Sequence, residues 1–169
     1  TLVDTLKNTY ANHIAFSGDG RRLFFWANNG QLNYAAFASF GKGDFMYDFN
    51  INMGGGVALA VSPGREEAVV AGAGVTLWNG PGQQNTLLRG HRGGATSAVF
   101  SPNGQLILTG GKGGRAHLWF KGSNSPLQNP RPMLGGVLRT ELADDGKKMA
   151  VWGRNPAAIF AFDHLSMRT

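Results

Sequence analysis

Short apolar runs broken by glycine-centred turns fill this chain, and they follow one another in a fixed order. An apolar segment is closed by a Gly turn, a second apolar segment by another, and a third segment ends in an aromatic residue. The order is met four times, at residues 12–37, 57–78, 98–119 and 137–163. Each run is short, rich in β-branched and aromatic residues, and bounded by Gly, Asn, Asp or Pro. That is the pattern of strands joined by hairpins. No segment sustains a helical apolar period.

The spacing is regular. Ser17 to Ser62 is 45 residues, Ser62 to Ser101 is 39, Ser101 to Ala143 is 42, and Trp78 to Trp119 is 41. A strand-built unit repeating every 40–45 residues or so predicts propeller blades and excludes the helical repeats. Trp26, Trp78, Trp119 and Trp152 all fall inside the apolar runs and are expected in the core.

The third repeat carries the most specific residues: Leu88-Arg-Gly-His91, Ala98-Val-Phe-Ser-Pro-Asn-Gly104, Leu108-Thr-Gly-Gly111 and His117-Leu-Trp119. On these residues the chain resembles the WD40-repeat family. The resemblance implies an all-β fold, a β-propeller of about four WD40-like blades of four antiparallel strands, part of a larger ring. One domain is expected over residues 1–169, with blades roughly at 12–50, 56–90, 97–133 and 136–163. Residues 1–10, with Leu2 to Leu6, read as an outer strand of a neighbouring or closing blade. The resemblance also implies a hydrogen-bonded cluster of His91, Thr109 and Trp119 bracing the third blade. Two positions depart from the family pattern. Phe120 follows Trp119 where Asp is usual, and Gly113 stands where the family often has a turn Asp.

Composition narrows the chemistry. The chain has 26 glycines without a G-X-Y period and no cysteine. Disulfides, thiolate zinc sites, Cys nucleophiles and iron–sulfur clusters are thereby excluded. No apolar stretch approaches the length of a bilayer span, so no membrane insertion is expected. The first residue is Thr1, from which a fragment of a longer chain or assembly is expected. No segment reads as a signal peptide, which gives an expectation of an intracellular protein, cytoplasmic or nuclear.

Catalytic signatures are missing. Gly110-Gly111-Lys112 lacks the remainder of a phosphate-binding loop, and no G-x-S-x-G elbow is present. His13, His91, His117 and His164 show no metal-ligand spacing, and Asp144-Asp145 reads as a turn. No catalytic residue, metal or cofactor is therefore expected, and the chain reads as a non-enzyme. An enzyme with a site in a propeller channel is the remote alternative.

Charge adds a direction. Sixteen basic residues against ten acidic ones give a formal charge of +6. Alternating hairpin strands sort the loops onto two faces. One face takes residues 27–30, 50–56, 72–74, 90–95, 110–115, 131–136 and 153–156. It holds Arg92, Lys112, Arg115, Arg131 and Arg154 without a single Asp or Glu. Asp19, Glu66, Glu67, Asp144 and Asp145 fall in or beside the first turns, on the opposite face. A basic face of this kind attracts anions. The expected function is a protein–protein interaction scaffold that presents the basic loops to an acidic protein partner within a larger complex. An RNA-associated propeller subunit of a ribonucleoprotein is the alternative partner class. Residues 121–132, rich in Ser, Asn and Pro, read as a loop or insertion that could itself make contacts.

Overall fold

The computed structural model describes residues 11–27, 32–36, 46–47, 57–127, 135–144, 147–153 and 158–161. Among these residues there is no helix. The strands form four antiparallel sheets, each built from consecutive hairpins. The first sheet holds β1 (Ala11–Phe16), β2 (Arg22–Ala27), β3 (Leu32–Ala36) and β4 (Met46–Tyr47). The second holds β5 (Ala58–Val61), β6 (Ala68–Ala71), β7 (Val75–Trp78) and β8 (Thr86–Leu87). The third holds β9 (Ala95–Phe100), β10 (Leu106–Gly111) and β11 (Ala116–Phe120). The fourth holds β12 (Val137–Leu142), β13 (Lys148–Gly153) and β14 (Ala158–Ala161).

Four strands per blade were expected, and the third and fourth sheets show three among the described residues. On the third sheet the Leu127 N–H donates to the Leu118 carbonyl at 2.7 Å, so the chain begins to pair along the outer edge of β11. The residues that follow, like the expected strand at Leu2 to Leu6, lie outside the described residues.

The turns between first and second strands are built by Ser and Asx side chains. Ser17 Oγ donates to Asp19 Oδ1 at 2.6 Å and accepts from the Arg22 N–H at 2.9 Å. Ser101 does the same with Asn103 and the Leu106 N–H, at 2.7 and 2.9 Å. Gly20 and Gly104 follow at φ 68° and 67°, the left-handed region where a Cβ is strained.

Successive sheets stack face on face, with β5 against β1, β9 against β5 and β12 against β9. No comparable contact joins the described strands of the fourth sheet to β1 or β2. Three apolar clusters fill the three interfaces. Phe24 and Trp26 meet Ala68, Val70 and Trp78. Val69, Ala71 and Leu77 meet Ala95, Ile107 and Trp119. Leu106, Leu108 and Leu118 meet Val137, Met149 and Val151. Position in this stack explains the burial patterns. The inner β6 and β10 are covered on both faces and buried throughout. The terminal β13 alternates, because only its Met149 and Val151 side faces a neighbour.

Trp152 is a correction to the expectation that all four tryptophans are core. It pairs across β12 with Arg139, on the side turned away from the third sheet, and is 57 % exposed. Ile14 and Phe16 are likewise exposed on the first sheet. An apolar residue in a strand is core only if its face has a neighbour, which strand patterning does not specify.

Candidate functional site

The hairpin of β10 and β11 sets Thr109 opposite His117, two residues from Trp119, so all three side chains share one face of the third sheet. His91 comes from the link between β8 and β9 and closes over them. Trp119 Nε1 donates to Thr109 Oγ1 at 2.8 Å, and Thr109 Oγ1 lies 2.7 Å from His91 Nε2. The His91 and His117 rings meet edge to face with centroids 4.3 Å apart, and His117 stacks near Trp119 at 5.5 Å. Glycines make the space. A Cβ on Gly111 would overlap His91 Nδ1, and one on Gly90 would stand 3.1 Å from the Trp119 ring and 3.2 Å from that of His117. Burial in this setting, with His117 alongside, pushes His91 down to about 4 from an ordinary 6.5. His91 is therefore neutral at physiological pH.

Outward of the ring cluster lies an open cleft of about 560 Å³, lined by Arg89, Gly90, His91, Arg92, Gly113, Arg115, His117 and Pro126. Three of these residues are arginines and none is acidic. Among the described residues, Arg89, Arg92 and Arg115 take part in no ion pair.

Residues 82–119 match the family model described as WD domain, G-beta repeat. The chain carries a WD40 repeat. The matched repeat runs from before β8 through β11, so it takes in the last strand of one sheet and three strands of the next. No curated protein matches the chain. A WD40 repeat is in general the mark of a protein-interaction scaffold, and such domains are typically non-enzymatic.

Around the WD40 repeat the two ends of the sheets differ. At the end bearing the cleft, hydrogen bonds to backbone carbonyls join neighbouring sheets: the Ala95 N–H donates to the Gly72 carbonyl at 2.7 Å, second sheet to third, and Thr96 Oγ1 donates to the Val137 carbonyl, third sheet to fourth. At the other end the first turns adjoin, with Gly104 against Ser62 and Gly18 against Pro63. Here acids and bases pair between sheets. Arg22 of the first sheet pairs with Glu66 of the second. Lys121, just after β11, pairs with Glu67, just before β6, at 2.8 Å.

Of the basic loop residues expected from sequence, Arg92 and Arg115 share the cleft. Lys112 is exposed on the same loop face and does not line it. Arg131 and Arg154 lie outside the described residues, as does Asp145. Sequence reasoning missed Arg89. It immediately precedes the Gly90-His91 signature, and that adjacency to a loop already identified was the available signal. No group of three potential metal-ligating side chains is found among the described residues, and no helix there is long and apolar enough to cross a membrane.

Proposed function

We propose that this chain is a docking platform whose loop face receives an acidic segment of a protein partner within a larger assembly. The observation that carries this reading is the cleft edged by Arg89, Arg92 and Arg115 with no acidic residue in its lining. Uncompensated charge raises the local potential, and guanidinium groups grip carboxylates in a bidentate manner. In this reading the His91–Thr109–Trp119 cluster is the brace that holds the cleft floor rigid, because hydrogen bonds made in a low-dielectric interior fix side-chain positions.

Reversing charge with Lys112→Glu and Arg115→Glu together should weaken binding of an acidic peptide and flatten its salt dependence. Titration calorimetry at low and moderate salt measures both. Unchanged affinity in the double variant overturns the reading.

A further inference from the structure

Ser-Pro occurs three times in the chain, at Ser62-Pro63, Ser101-Pro102 and Ser125-Pro126. One class of protein kinases selects this dipeptide, in which Pro holds the preceding residue extended and offers no N–H of its own. Two of the three serines are closed to such an enzyme. Ser62 and Ser101 sit in first turns and are each 1 % exposed, and Ser101 Oγ is engaged with Asn103 and the Leu106 N–H. Ser125 is exposed, in the irregular stretch after β11. Among the described residues its hydroxyl makes only a long contact, 3.4 Å to Asn124 Oδ1. Ser123 is half-buried and is followed by Asn rather than Pro. Its hydroxyl donates to the Ser125 carbonyl at 2.9 Å and accepts from the Ser125 N–H at 3.2 Å, which fixes the backbone at Ser125.

The place of Ser125 matters as much as its exposure. Pro126 lines the arginine cleft, and the Arg89 N–H donates to the Asn124 carbonyl at 3.2 Å. Ser125 is thus bracketed by one residue that lines the cleft and one that is tied to a cleft arginine. A phosphoryl group on it brings roughly two negative charges and three acceptor oxygens beside a cleft that holds Arg89, Arg92 and Arg115 and no acidic residue. Arginine pairs with phosphate through two parallel charge-assisted bonds.

We propose that Ser125 is a phosphorylation site for a proline-directed serine kinase, and that its phosphate is held in cis by the cleft arginines, closing the cleft to the acidic partner. The closure rests on the acidic-partner reading above and adds its regulation. In the transfer, Ser125 Oγ bonds to the γ-phosphorus of ATP and the bond from that phosphorus to the ADP oxygen breaks. The hydroxyl proton passes to the base of the kinase.

The test treats the 169-residue chain with ATP and a proline-directed serine kinase and maps the phosphate by mass spectrometry. Ser125 should be modified, Ser62 and Ser101 should stay bare, and Ser125→Ala should take up no phosphate. A folded chain left unmodified at Ser125 overturns the site. Phosphorus NMR then follows the modified chain through a pH titration. Neighbouring guanidinium groups favour the dianion, so its midpoint should fall at least half a unit or so below the usual value of about 6. Arg92→Ala together with Arg115→Ala should bring it back. Phosphorylation should also weaken binding of a blocked tetraglutamate peptide by about tenfold or more. A midpoint that stays at about 6, or an affinity within about twofold of the unmodified chain, overturns the closure and leaves the acidic-partner reading standing. If the unmodified chain does not bind the peptide at all, that reading falls and the closure with it.

Discussion

The two ends of the stacked sheets use the same kinds of charge for different purposes. At the first-turn end, Arg22 pairs with Glu66 and Lys121 with Glu67, each pair crossing from one sheet to the next. The charges there are partly spent on holding neighbouring sheets together. At the loop end the sheets are joined instead by hydrogen bonds to backbone carbonyls, from Ala95 to Gly72 and from Thr96 to Val137. Arg89, Arg92 and Arg115 are not needed for that joint. Cohesion by uncharged hydrogen bonds at one end leaves charged side chains available for a partner.

The sharpest way to break the contrast is at Lys121. Glu67 is buried, and its Oε2 has no hydrogen-bond partner among the described residues, so Lys121 carries most of the compensation for that carboxylate. Lys121→Met should destabilise the fold by about 3 kcal/mol in urea unfolding, and adding Glu67→Gln should recover part of the loss.

Next comes the brace at the loop end. Thr109→Val keeps the shape and leaves Trp119 Nε1 without its acceptor and His91 Nε2 without its partner. A cost of about 2 kcal/mol is expected by the same measurement. A change under about 0.5 kcal/mol would mean that the cluster is not a brace.

Acid should act on the loop end first. The folded chain holds His91 neutral down to about 4, whereas the unfolded chain takes up its proton near 6.5. His91 therefore costs nothing above that range, and stability falls as pH drops from 6.5 towards 4 and levels off below it. The loss attributable to this ring is about 2 kcal/mol after allowance for partial solvent screening. His91→Gln should flatten the slope of stability between pH 5 and 6.5, where ordinary carboxylates stay ionised. An unchanged slope would place the acid sensitivity elsewhere.

The smallest effects should separate the two faces most clearly. Arg22→Ala opens a partly exposed pair and should cost under about 1 kcal/mol. Arg92→Ala should leave stability within about 0.5 kcal/mol. If Arg92→Ala proved the more destabilising of the two, the division between cohesive and available charge would be wrong.

Much of this was legible in the chain. The Ser-x-Asx-Gly spacing sets turns at Ser17 and Ser101 because both the side-chain acceptors and the left-handed residue are local. The four-fold order of runs places the hairpins because each pairing is between neighbours in sequence. His91, Thr109 and Trp119 could be named together because the repeat period carries all three. Other things needed packing in space. Trp26 and Trp152 occupy like places in their runs, yet one is buried and the other exposed, since only stacking decides which sheet face is covered. The pairing of Lys121 with Glu67 joins residues 54 positions apart across a sheet interface, which no local pattern encodes. Arg89 enters the cleft only once the β8–β9 link folds over β11. What the sequence settled by itself is therefore the short-range structure, where each residue acts on others a few positions away. Burial, ion pairing between sheets and the convergence of three arginines arose only from the stacking of whole sheets.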